Sequence, residues 1–220
     1  MFKREYFVLV LVLTTLLAFP YISNAESGGA SSGFNAGNPL GKITPGKPAP
    51  KFELPDTKGN TIKLSDYKGK YVVLEWFNHG CPFVRKHYDS GNMQKLQKAY
   101  TGKGVIWLSI CSSAPGKQGN CSASEHNTMF AEKHAAPTAV LMDVDGKVGH
   151  LYGATSTPDM FIIDPKGILI YAGAIDDTPG TDITEISTAK NYVKQALDES
   201  MAGKPITTAH TRPYGCFVHY

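Results

Sequence analysis

Glu75-Trp76-Phe77-Asn78-His79-Gly80-Cys81-Pro82-Phe83-Val84-Arg85-Lys86-His87-Tyr88 is the stretch that decides the fold. It begins in residues 71–77, a nearly continuous β-branched and aromatic run of the kind found in a strand covered on both faces. It continues into a helix, because proline is favoured at the first helical position and Pro82 stands there. Cys81 lies at the junction. Helix N-termini expose unpaired N–H groups and the positive end of the helix dipole, so a thiol held there ionises more easily. The thiolate is the reactive form of cysteine. The arrangement suits a redox thiol, yet the position where a dithiol motif would carry its second cysteine holds Val84.

The flanking pattern predicts alternating elements. Upstream, Phe52-Glu53-Leu54 and Thr61-Ile62-Lys63-Leu64 read as short strands about the turn Lys58-Gly59-Asn60. Downstream, a helix is expected over 82–100 with a break near Ser90-Gly91, and a second central strand over 104–110. A helix starting near Ser122 or Ser124, a strand over 138–142 and a short helix over 146–152 follow. Residues 160–163 and 168–172 form a hairpin about Asp164-Pro165-Lys166-Gly167. An amphipathic helix over 184–201 closes the pattern, with Ile186, Ala189, Tyr192, Val193, Ala196 and Leu197 on one face. Strands alternating with helices before a hairpin imply an α/β fold: a central mixed β-sheet flanked by helices on both faces.

The chain has 220 residues and a net charge of +3. Residues 1–25 read as a signal peptide: basic Lys3 and Arg4, an apolar run over 7–19, and the small-residue site Ser23-Asn24-Ala25. The run is shorter than the roughly 20 residues that span a bilayer. The expected product is exported, periplasmic or secreted, with no stable membrane insertion after cleavage. Residues 26–45 read as a flexible Gly/Ser/Asn/Pro leader, 46–200 as the folded domain, and 201–220 as a tail carrying Cys216. Without Lys3, Arg4 and Glu5 the remainder keeps 20 basic and 18 acidic residues. That balance gives no argument for a nucleic-acid partner. No phosphate-binding glycine loop, serine nucleophile elbow or zincin helix is present.

Four motifs together resemble the thioredoxin fold, and more narrowly the exported redoxins of the alkyl hydroperoxide reductase/thiol-specific antioxidant group and their thiol–disulfide relatives. They are Gly46-Lys47-Pro48-Ala49-Pro50-Lys51-Phe52, Leu64-Ser65-Asp66-Tyr67-Lys68-Gly69-Lys70, residues 76–81, and Ser156-Thr157-Pro158-Asp159-Met160-Phe161-Ile162-Ile163-Asp164. The Cys-Pro-Phe-Val-Arg-Lys-His-Tyr segment and the ending Pro213-Tyr214-Gly215-Cys216 also occur in bacterial members of unsettled activity. The resemblance makes Cys81 the redox nucleophile, Pro158 a cis-proline beside it, and Glu75 the buried proton-relaying carboxylate. It implies a hydroperoxide or disulfide substrate, a thiol electron donor and no cofactor. The chain departs from the dithiol pattern at Val84, and from the peroxidase pattern at Asn78, where Thr or Ser is usual.

Each assignment has a plainer alternative. Cys81 could be an inert core cysteine. Cys216 is the candidate resolving residue, or else forms a permanent bond with Cys81 or remains free. Cys111 and Cys121 bracket a short loop, favouring a structural disulfide over a second redox pair. A cis Pro158 would turn the Thr157 backbone toward Cys81, where an extended substrate could add as a strand; otherwise it marks a turn. Glu75 could instead point outward. Asn78 and Arg85 are the local candidates for polarising a peroxide. His79, Cys81 and His87, with Cys216-x-x-His219, offer a copper- or zinc-binding alternative, which would make the chain a non-enzymatic metal or interaction module. Asp176-Asp177 reads as a solvated turn.

Overall fold

The computed structural model describes residues 43–220. The signal peptide expected over 1–25 and most of the leader lie outside the described residues. Five strands form one mixed sheet: β3 (Val72–Trp76), β4 (Ile106–Cys111), β5 (Ala139–Met142), β7 (Asp159–Ile163) and β8 (Leu169–Gly173), in the order β5-β4-β3-β7-β8. β3, β4 and β5 run parallel, and β7 and β8 add antiparallel. β1 (Glu53–Pro55) pairs with β2 (Thr61–Lys63) as a separate hairpin. Among the described residues no helix is long and apolar enough to cross a membrane.

Strand alternation divides the core into two clusters. Val72, Leu74 and Trp76 face Val148 and Tyr152 of α4 (Lys147–Tyr152). Val73 and Phe77 face the cluster that contains Cys81, Val84 and Tyr88 of the first helical segment and Val193, Ala196 and Leu197 near the C-terminus. Every residue of β3 is buried, as a doubly covered central strand requires.

The helix expected over 82–100 is two helices, α1 (Pro82–Asp89) and α2 (Asn92–Thr101). Gly91 between them adopts φ +74°, a left-handed conformation that glycine takes without a Cβ clash. α3 (Ala123–Glu132) starts at a reciprocal capping box between Ser122 and Glu125. The helix expected over 184–201 is corrected. Residues Ile183–Ser187 form a 3-10 turn capped by Asp182, and α5 (Tyr192–Met201) starts only after Asn191. The Asn191 side chain accepts from Lys194 N, and Tyr192 N donates to Ile175 O. This tie to the sheet end stops the helix extending backward, so Ile186 and Ala189 lie outside its apolar face.

Two further strands lie beyond the main sheet. β6 (Ser156–Thr157) pairs antiparallel with β9 (Cys216–Phe217), in the register Ser156 with Phe217 and Thr157 with Cys216. The tail therefore returns across the domain.

Candidate active site

Cys81 is the N-cap of α1 and is fully buried. Its Sγ donates to Thr157 O at 3.1 Å. The Thr157–Pro158 peptide bond is cis. The edge of β6, where the resemblance anticipated an incoming strand, is occupied by the chain's own tail. Cys216 stands opposite Thr157, on whose carbonyl the Cys81 thiol rests. Burial pushes the Cys216 thiol up, and the adjacent Cys81 side chain adds to the rise, to about 12. All four cysteines are free thiols. The structural disulfide expected between Cys111 and Cys121 is accordingly absent: Cys111 Sγ donates instead to Gly119 O at 3.2 Å.

Several contacts hold the tail down. Tyr214 OH donates to Asp176 Oδ1 at 2.5 Å and lies 3.2 Å from His87 Nε2. Asn92 Nδ2 is 2.9 Å from His87 Nδ1. An amide donor at Nδ1 assigns the proton to Nε2, so the chain runs Asn92 to His87 to Tyr214 to Asp176. Asp176 lies 4.0 Å from His87, but burial, with help from Lys86, holds the imidazole down at about 3. The two do not form an ion pair at neutral pH. Farther along, Ala114 N donates to His219 O, and the Tyr220 ring stacks on His150 at 3.8 Å.

Glu75 faces the Cys81 side of the sheet and is wholly buried. It accepts from Trp107 Nε1 (2.7 Å), Ser109 Oγ (2.9 Å), Tyr88 OH (2.7 Å) and Gln97 Nε2 (3.3 Å). Burial raises its pKa, and the four donors pull it back only in part. The carboxyl thus ties β3 to β4, α1 and α2, and the alternative in which it points outward does not hold.

The two candidate polarising groups aim elsewhere. Asn78 Oδ1 accepts from Gly80 N at 2.8 Å, and its Nδ2 donates to Gln118 O at 3.2 Å. Arg85 is exposed and reaches Asp89 at 3.7 Å. Lys86, the next residue, is buried with its Nζ on Thr178 O (2.8 Å) and Glu185 (3.2 Å). Asp176 is corrected from solvated turn to buried tail anchor, only 2% exposed; Asp177 is exposed as expected.

His79 and His87 do not share a site. His87 is engaged with Asn92 and Tyr214, whereas His79 packs against Phe77, Phe130 and His126. Among the described residues no three His, Cys, Asp or Glu side chains gather as a metal-holding group. His79 Nε2 and both His126 nitrogens are buried without hydrogen-bond partners. Burial, then His126, lowers His79 to about 4. An unfolded imidazole takes its proton near pH 6.5, whereas this one does not, so stability falls as pH drops from about 6.5 toward 4. Replacing His79 with Phe should flatten that slope. Between pH 7 and 5 the wild type should lose about 2 kcal/mol more than the variant in urea titrations. Equal losses would mean that His79 is charged in the fold.

Tyr214, Asp176, His126 and Gln118 are site neighbours that motif reading did not pick out. Only Tyr214 had a signal, its place in Pro213-Tyr214-Gly215-Cys216.

Fold and chemistry together define a thiol oxidoreductase with the thioredoxin fold. The AhpC/TSA family model matches residues 45–172, more than half of the chain, and the chain belongs to that family. It is 29% identical over 171 residues to the thiol-disulfide oxidoreductase ResA of Bacillus subtilis, covering 76% of this chain and 84% of ResA. It is 30% identical over 147 residues to the chloroplastic peroxiredoxin Q of Triticum aestivum, covering 60% and 59% respectively. Among solved structures it is similar to a hypothetical protein from Sinorhizobium meliloti, with TM-score 0.70 and 26% identity over 82% of this chain and 96% of that one.

Proposed function

We propose that this chain exchanges disulfides with protein or peptide substrates, using Cys81 as nucleophile and Cys216 as resolving cysteine. The observation that carries the reading is the apposition of the two thiols across the β6–β9 pair. Cys81 thiolate attacks a substrate disulfide, forming a mixed disulfide and releasing one substrate thiolate. Cys216, after losing its proton, attacks Cys81 Sγ. The Cys81–Cys216 disulfide forms and the second substrate thiolate leaves. A dithiol donor then reduces the pair and is itself oxidised to a disulfide.

Asn78 and Arg85 favour this over peroxide reduction, because neither turns a donor to the sulfur. The β6 edge is taken by β9, so a substrate strand reaches Thr157 and Cys81 only when the tail lifts. Glu75 is assigned to positioning α1 through Tyr88, with proton exchange at the same carboxyl. Export follows from residues 1–25, and the N-terminus of the exported protein should then be Glu26.

The test is trapping with a disulfide-containing peptide. With Cys111 and Cys121 also replaced by serine, Cys216→Ser should accumulate a mixed disulfide mapped to Cys81, Cys81→Ser should form none, and the otherwise unchanged protein should end with a Cys81–Cys216 bond. Trapping that persists undiminished in Cys81→Ser would overturn the assignment. Rapid hydrogen peroxide consumption with no peptide adduct would establish the peroxidase reading in its place.

A further inference from the structure

The segment between Cys111 and Cys121 grips the active-site loop. Gln118 O and Oε1 lie 3.2 and 3.4 Å from Asn78 Nδ2. A Cβ built on Gly80 would come within 2.8 Å of the Gln118 side chain, and one on Gly119 within 2.6 Å of Asn78. The two loops are therefore in direct contact immediately before Cys81. The far side of the gripping loop is set by its cysteines. Cys111 ends β4 with its thiol on Gly119 O, and Cys121 lies only two residues beyond Gly119, a chain reach of about 7 Å. Cys111 is buried and Cys121 is partly exposed. That is the asymmetry of a pair with one sulfur open to reagents and one held in reserve.

We propose that Cys111 and Cys121 form a reversible dithiol–disulfide switch, separate from the Cys81–Cys216 pair, that sets how firmly the 112–120 loop clamps the loop ahead of Cys81. The oxidant is a low-molecular-weight disulfide. Cys121 thiolate attacks it, forming a mixed disulfide and expelling one small thiolate. Cys111, deprotonated in turn, attacks Cys121 Sγ, and a second small thiolate leaves. Two protein thiols are oxidised and one small disulfide is reduced to two thiols. Cys111 then gives up its contact with Gly119 O, and the covalent ring fixes the loop that carries Gln118.

The switch stands apart from the proposed exchange reaction and can be read without turnover. The full chain carrying Cys81→Ser and Cys216→Ser is equilibrated in oxidised and reduced glutathione. The expected product is about 2 Da lighter, with a Cys111–Cys121 cross-link on non-reducing peptide mapping that dithiothreitol reverses. Glutathione retained on Cys121 with no ring closure would overturn the pairing. For the coupling, Cys216→Ser protein is prepared with the Cys111–Cys121 pair reduced or oxidised, intact mass establishing that Cys81 carries no glutathione, and iodoacetamide labelling of Cys81 is timed. Oxidation should slow labelling about fivefold, through less frequent local opening, and adding Cys121→Ser should abolish the difference. A cross-link with no change in the labelling rate would make the pair a structural staple and overturn the switch.

Discussion

Replacing Gly215 with valine should raise the rate of Cys81 alkylation by about 100-fold, the equivalent of lowering a local opening free energy by roughly 2.7 kcal/mol. Cys81 is fully buried, and β9 lies along the edge whose Thr157 carbonyl receives its thiol. Gly215 has φ +139°, and a Cβ there would overlap the Thr157 carbonyl. Any side chain must therefore lift the tail from β6 or shift the backbone that carries Pro158. Tyr214→Phe should act in the same direction and more weakly, because it leaves Asp176 and His87 without their shared hydroxyl while the strand pairing survives. Timed labelling followed by peptide mass analysis reads both variants, with thermal melting to establish that the domain stays folded. An unchanged rate in a folded Gly215→Val protein would mean that reagents reach Cys81 without passing under the tail.

Glu75→Leu should cost about 3–5 kcal/mol of stability, which at this chain length lowers Tm by about 6–20 °C. Leucine fills part of the space but accepts no hydrogen bond, so Trp107 Nε1, Ser109 Oγ, Tyr88 OH and Gln97 Nε2 all lose an acceptor inside the core. Glu75→Gln should cost less, since its carbonyl oxygen still accepts while its amide meets donors. The pH dependence separates charge from shape. Glu75 has a raised pKa in the fold, so its protonated form contributes stability that is present below the unfolded carboxyl pKa and is lost as pH rises through the folded value. The stability gap between wild type and Glu75→Gln should narrow over that rise. A gap that widens with pH would show that the four donors outweigh burial and favour the carboxylate. Urea midpoints across the pH range provide the measurement.

Much of the domain was legible because its determinants are short-range. The apolar run into β3, Pro82 at the start of α1, Ser122 with Glu125 at α3 and the turn between β7 and β8 each carry their signal within a few residues. The helix expected over 184–201 misled for the same reason. Its apolar spacing was real, but Asn191 and the contact of Tyr192 with Ile175 override it from the sheet side. Asp176 misled in the opposite sense: two adjacent aspartates look solvated until Tyr214, 38 residues later, covers one of them.

By itself the sequence determined the α/β order of elements, the place of Cys81 at a helix start and the strand that carries Glu75. Periodicity, capping and turn chemistry act between neighbours and can be read locally. Tertiary structure alone decided that Cys216 faces Thr157, that Glu75 collects four donors, that His79 pairs with His126 rather than His87, and that the 112–120 loop holds the loop before Cys81. Those placements depend on contacts between residues tens to more than a hundred positions apart, such as His87 with Tyr214. A contact of that kind forms only after loop closure is offset by packing against the finished sheet, and no local pattern along the chain records it.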